Sequence, residues 1–120
     1  TLMELHHVQV AIPVGSEAEA RAFWIDVIGF SEIPKPEPMA SRGGLWIRDG
    51  SCEIHLGIEE PFAPAHKAHP GIVVEDPDRL EERLGWAGYE TTPDAPIYGM
   101  RRFHVSDPFG NRIEFLGGTT

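Results

Sequence analysis

Three histidines and a glutamate stand where strand alternation collects polar side chains on one face: His7, His55, His69 and Glu114. Residues 5–12 alternate so that Val8, Val10 and Ile12 share one face and His7, Gln9 and Ala11 the other. Residues 51–58 set Glu53, His55 and Gly57 opposite Cys52, Ile54, Leu56 and Ile58, and residues 68–74 set His69, Gly71 and Val73 opposite Ile72 and Val74. In residues 112–116 Ile113 and Phe115 face one way and Glu114 the other. Imidazole with carboxylate suits a divalent first-row cation such as Zn, Fe, Mn, Co or Ni, and a set without thiolate argues against a closed structural zinc site. Two imidazoles and one carboxylate would leave positions open for an oxygen-rich substrate.

The elements that must position these groups follow from local signals. Pro13 and Gly15 end the first strand, and Ser16 with Glu19 has the spacing of a capping box. A helix is expected over Glu17–Ile28, its apolar stripe made by Ala18, Ala22, Phe23, Trp24 and Ile25, with Gly29 as its stop. A short strand over Phe30–Ile33 and a Pro/Gly-rich loop over residues 35–44 lead to a hairpin, Leu45–Arg48 and Ser51–Ile58 around Asp49-Gly50. Residues Glu59–Lys67 read as a linker. After the strand Ala68–Val74, Asp76-Pro77 opens a second helix with Leu80, Leu84 and Trp86 inward and Gly88 as its end. Tyr89–Thr91 is expected as a strand and residues 92–99 as a loop. A last hairpin pairs Arg102–Ser106 with Arg112–Leu116 around Asp107–Asn111. Trp24 and Trp86 are expected in the core, and Cys52 alternates onto the apolar face as a small hydrophobe.

The order strand, helix, three strands occurs twice. His7 and His69 lie 62 residues apart, Gly29 and Gly88 lie 59 apart, and His55 and Glu114 lie 59 apart. This is an internal repeat. The expected fold is α+β, two βαβββ modules forming curved mixed sheets around a concave site, in a single domain 1–120 with halves at 5–58 and 68–116. A chain of 120 residues, 41% hydrophobic and 24% charged, is ordinary for one soluble domain, and its apolar runs fall short of a membrane span. The formal charge of −9 and ten scattered Lys and Arg argue against nucleic acid as a partner. One cysteine rules out an intrachain disulfide, and residues 1–8 lack the features of a secretory signal, so a reducing cytoplasm is expected.

The segments HHVQVAI, ARAFWIDVIGF, CEIHLGIEE, AHPGIVVEDPDRL and FHVSDPFGNRIEFL together resemble the vicinal oxygen chelate superfamily. That superfamily includes glyoxalase I, extradiol dioxygenases, fosfomycin-resistance transferases, epimerases and metal-free bleomycin-binding proteins. The resemblance implies His7, His69 and Glu114 as metal ligands, with His55 where glyoxalase I enzymes carry a fourth, usually acidic, ligand. It also implies a metal that chelates vicinal oxygens, and it places His104 where extradiol dioxygenases hold an acid/base residue. His6, the neighbour of His7, is expected to point away by alternation.

Around these, Arg102 shares the face of His104 and suits an anionic substrate, and Glu53 on the His55 face is a candidate general base. Tyr98 and Met100 are expected at the pocket mouth, and Trp46 along its wall. The function expected is a small metal-dependent enzyme acting on a vicinal-oxygen or carbonyl metabolite, as lyase, isomerase or dioxygenase. The alternative is a metal-free protein that sequesters a small molecule or antibiotic, as bleomycin-binding relatives do. Exposed sheet edges give a homodimer a physical motive.

Overall fold

The sequence repeat is also a repeat of topology. The computed structural model describes residues 1–118, and the chain divides into two units, Thr1–Ala63 and Pro64–Thr120. The boundary falls inside the 59–67 segment that composition marks as a linker.

The first unit runs β1 (Val8–Ile12), α1 (Glu17–Arg21) continuing as a π-helical stretch Ala22–Ile28, β2 (Ser31–Ile33), a 3-10 turn Met39–Arg42, β3 (Leu45–Asp49) and β4 (Cys52–Ile58). The second runs β5 (Gly71–Val73), α2 (Pro77–Trp86), β6 (Thr91–Ile97), β7 (Met100–Ser106) and β8 (Arg112–Gly118). Their sheets have the same order, β1-β4-β3-β2 and β5-β8-β7-β6. In each, the first strand runs parallel to the last and the other pairs are antiparallel. The fold is α+β, made of two mixed four-stranded modules, as the repeat predicts. Among the described residues no helix is long and apolar enough to cross a membrane.

The registers repeat as well. His55 pairs with Gln9 on one side and Trp46 on the other, while Glu114 pairs with Gly71 and His104. Ile54 and Leu56 flank His55, and Ile113 and Phe115 flank Glu114, all buried. One face of each central strand is therefore committed to the core, which fixes which residues occupy the other.

Several expectations are corrected. The hydroxyl of the buried Ser16 does not cap α1; it donates back to the Pro13 carbonyl at 2.6 Å. Glu17, not Glu19, makes the long contact, accepting from the Gly44 amide at 3.0 Å. The buried stripe is Ala20, Phe23 and Trp24, with Ala18 and Ala22 exposed, because the helix is phased to bury the i, i+3 and i+4 positions counted from Ala20. Gly29, at φ 108°, closes that helix as predicted. The turn of the first hairpin is Gly50-Ser51, since Asp49 still pairs with Cys52.

In the second unit Leu80 and Leu84 are buried, but Trp86 is 80% exposed. It lies two residues beyond Leu84, roughly 200° around the helix. Gly88 ends α2 in a Schellman arrangement: its amide donates to the Gly85 carbonyl at 3.1 Å and the Tyr89 amide to Leu84 at 2.9 Å. The strand expected to stop at Thr91 runs on through residues 92–97, where a loop is expected, because β6 lies at the sheet edge, where Pro93 and Pro96 leave no interior ladder bond unmade. β5 begins only at Gly71: Pro70 has no amide, although its carbonyl accepts from Glu114 N at 3.0 Å. β1 likewise begins after His7, so His7 and His69 both lie in the chain that enters a strand.

The Asp76 cap is as the sequence predicts, its carboxylate accepting from the Arg79 amide at 3.0 Å. Replacing Asp76 with Ala will cost about 1 kcal/mol. Thermal unfolding followed by circular dichroism will show a fall of a few degrees, and Asp76→Asn will recover most of it.

Candidate functional site

The hairpin joining β7 and β8 is tied by one buried side chain. Asp107 accepts at Oδ1 from the Phe109 and Asn111 amides (3.0 and 2.9 Å) and at Oδ2 from Asn111 Nδ2 (2.9 Å). Asn111 in turn accepts from the Ala65 amide at 2.9 Å, and the Arg112 amide donates to Ala65 O at 2.9 Å. Burial pushes the Asp107 carboxyl above its ordinary range, against the pull of these hydrogen bonds. The knot sets Ser106 opposite Arg112 and so His104 opposite Glu114.

Glu114 is the hub of this face, 7% exposed between β5 and β7. Its Oε1 lies 2.9 Å from His69 Nε2 and 3.8 Å from His104 Nε2, and its Oε2 lies 3.4 Å from Arg102 Nη1. His69 is oriented at its far side, Nδ1 donating to the Lys67 carbonyl at 2.9 Å. A carbonyl oxygen only accepts, so the Nδ1 proton is fixed there, and in the neutral ring Nε2 carries a lone pair. That lone pair faces a carboxylate oxygen at 2.9 Å, so something positive belongs between them, either a second ring proton or a cation. A backbone carbonyl on the non-ligating nitrogen is the usual outer support of a metal-bound histidine. The ligand atoms of His69, His104 and Glu114 all lie within 4.8 Å of one another. The donor set fits a divalent first-row ion.

His104 differs from His69. Its Nε2 accepts from Arg112 Nη2 at 3.0 Å, and its Nδ1 lies 3.7 Å from Asp94 Oδ2. A guanidinium on the lone pair keeps the ring neutral and competes with any cation for that nitrogen. Burial, then Arg112, holds the His104 pKa below its ordinary value. This favours His104 as a proton-handling neighbour over a ligand. Arg102 ties the face together: Nε donates to Ala95 O at 2.6 Å and Nη2 lies 3.3 Å from Asp94 Oδ2, besides the Glu114 contact.

The first unit builds a different group at the equivalent positions. The Trp46 and His55 rings stack at 3.8 Å with 2° between planes, and His7 stacks on His55 at 3.9 Å and 16°. His55 is 5% exposed, and its Nε2 lies 2.7 Å from Glu53 Oε2. Both of its faces and one nitrogen are thereby engaged, leaving Nδ1 for any further contact. The His55 hydrogen bond holds the Glu53 carboxyl below its ordinary range, so as a base Glu53 is weakened. His6 does not turn away: its Nδ1 lies 2.9 Å from His7 Nδ1. Burial, His55 and His6 together hold His7 below its ordinary pKa. Burial and then Asp49 raise the Cys52 thiol, which suits a packing role.

Met100 opens β7 and is part-buried. Tyr98, in the β6–β7 turn at φ 50°, is 96% exposed. Two residues of that group escaped the sequence reading. Arg112 lies two positions before Glu114 on the same strand, so period-two alternation puts it on the Glu114 face. Asp94 was hidden because its segment reads as a loop.

Comparison with known proteins gives a family. The family model described as the Glyoxalase/Bleomycin resistance protein/Dioxygenase superfamily matches residues 4–115. The structure is similar to that of a protein from Bacillus anthracis assigned to the glyoxalase family, with 48% identity, a TM-score of 0.93 and coverage of 99% of this chain and 98% of that one. It shares its fold with TnmS3, an antibiotic binding protein from Streptomyces, at 22% identity and a TM-score of 0.72, covering 98% and 100% of the two chains. A polyketide synthase, ThaQ of Burkholderia thailandensis, is 29% identical over 75% of this chain. The match spans about 5% of that protein's length.

Proposed function

Because the chain belongs to the Glyoxalase/Bleomycin resistance protein/Dioxygenase superfamily, we propose that it is a metal-dependent enzyme acting on a small vicinal-oxygen or carbonyl compound, as a lyase, isomerase or dioxygenase. The observation that supports this is the His69–Glu114 pair: an imidazole whose tautomer is set by Lys67 O, its free nitrogen 2.9 Å from a buried carboxylate oxygen. A divalent ion held there would supply Lewis-acid polarisation of a substrate oxygen. His7 is carried as a further ligand and His55 as a fourth, both from the resemblance alone. His104 moves the proton at Nε2, released to do so when Arg112 turns to the substrate. Arg102 holds the Glu114 carboxylate in place. A second copy of this chain is the proposed partner.

The second reading is a binding protein that sequesters a small molecule, favoured by the likeness in fold to TnmS3. Metal analysis separates the two. Protein purified without affinity tag or chelator will carry near-stoichiometric divalent metal, His69→Ala will lose it, and His7→Ala will show whether that imidazole contributes. A wild-type protein that holds no metal and takes none up sinks the enzyme reading.

A further inference from the structure

Arg112 is the cation on this face that has no carboxylate at ion-pair distance among the described residues, Asp94 acting on it only from farther off. Arg21, Arg48, Arg101 and Arg102 each have a carboxylate oxygen within 4.0 Å. Arg112 has none among the described residues; its side chain donates to a neutral acceptor, His104 Nε2, at 3.0 Å. It is only part-exposed, so water does not fully replace the missing partner. A guanidinium carries five N–H donors in a planar fork, and a carboxylate takes two of them in parallel, more strongly than an imidazole takes one.

The side chain opens onto a groove of about 850 Å³, lined by His66, Tyr89, Thr92, His104, Ser106 and Arg112. A cavity of this size receives a whole small molecule, with a few polar groups fixing its orientation. Three acids also border the groove: Glu90, Asp94 and Asp107. Asp107 is consumed by the hairpin knot, and Asp94 accepts from the Ala95 amide at 2.7 Å and faces Arg102. Glu90 stays exposed at the groove and, with the net charge of −9, weighs against a dianion. The planar fork suits either oxyanion, and this charge balance selects a monocarboxylate over a phosphate dianion.

We propose that Arg112 anchors a carboxylate subsite, and that the groove takes small oxygenated monocarboxylic acids in preference to their neutral esters. As the substrate class of the proposed enzyme this rests on the reading above; as a binding event it needs no metal. Capture of the carboxylate draws the guanidinium off His104 Nε2 and frees that lone pair beside the ligand. Arg112 is thus a specificity-determining residue, and His104 is coupled to it.

The test is an NMR titration of the full chain at constant ionic strength, with benzoylformate, its methyl ester and inorganic phosphate as probes. The Arg112 side-chain and His104 ring resonances report the site. Benzoylformate is expected to bind about tenfold more tightly than the ester, and phosphate more weakly than benzoylformate. Arg112→Gln will erase the preference for the acid, Arg112→Lys will retain part of it, and Arg79→Gln, on the exposed side of α2, will leave it intact. Equal binding of acid and ester, a preference that survives Arg112→Gln, or phosphate matching benzoylformate overturns the proposal. Preference retained in metal-free Glu114→Gln upholds the subsite whatever becomes of the metal. Wild-type protein that loads metal yet shows no preference defeats the subsite alone.

Discussion

Glu114→Gln will lower divalent-metal affinity by about a hundredfold or more, which corresponds to about 2.8 kcal/mol. The amide keeps the shape of the carboxylate, can accept from Arg102 and can donate to the His69 Nε2 lone pair, but it lacks the charge that a cation requires. Changes to groups that only support a metal's ligands commonly cost ten- to a hundredfold, so loss of the central anion should cost at least the upper end of that range. Stability should respond much less. Arg102 retains Asp94 at 3.3 Å and Ala95 O at 2.6 Å, so the substitution leaves no cation stranded. A loss within about 1–2 kcal/mol is expected by denaturant titration of metal-free protein. Competition with a fluorescent chelator gives the affinity. Wild-type affinity in a folded Glu114→Gln protein would mean that the ion, if bound, sits elsewhere. The same experiment on Arg102→Gln should show a smaller loss, since that residue orients the carboxylate and does not supply the charge.

The order of elements and the strand faces were legible in the residues because burying one face of a strand forces its neighbours to the other. Ile113 and Phe115 place Glu114, and Ile54 and Leu56 place His55, before any contact is known. The repeat extended that logic to registers: Trp46 and His104 turn out to be equivalents, each paired across from the polar residue of its central strand. Hydrogen-bond direction was not legible. Whether Ser16 caps forward or bonds back to Pro13, and whether Arg112 points at a carboxylate or an imidazole, depends on atoms that local pattern does not locate. Proline misled at β6, since its rule against strands holds for interior positions and the sequence does not say which strand is an edge. The phase of the first helix was hidden for a related reason, since Ala18 with Ala22 and Ala20 with Phe23 and Trp24 both fit a 3.6-residue repeat and alanines do not say which stripe faces the core.

Asp107→Ala will destabilise the protein by about 3 kcal/mol and will weaken metal binding as well, although the residue touches no proposed ligand. The carboxylate accepts three hydrogen bonds inside a turn whose two key side chains, Asp107 and Asn111, are 4% and 2% exposed. Alanine leaves two amides and the Asn111 side chain without their acceptor, and water reaches them poorly. A buried donor left unsatisfied costs about 1–3 kcal/mol, so the sum exceeds what a cap or a surface ion pair contributes. A fall in Tm of about 10 °C is expected for a chain of this size. Asp107→Asn should cost less than half as much. Its carbonyl can still serve the Phe109 and Asn111 amides, and a neutral group escapes the burial penalty that raises the Asp107 carboxyl, while its own amide meets Asn111 Nδ2 donor to donor. The effect on metal follows from register. The knot sets Ser106 against Arg112, and every later pair of β7 and β8, His104 with Glu114 included, inherits that alignment. Loosening it shifts β8 against β7, so the Glu114 carboxylate loses the Arg102 contact that orients it toward His69, although its backbone amide stays tied to the Pro70 carbonyl. Calorimetry and chelator competition on the two variants decide the matter. If Asp107→Ala loses stability while its metal affinity stays at the wild-type value, the turn is only structural and Glu114 is positioned by β5 instead.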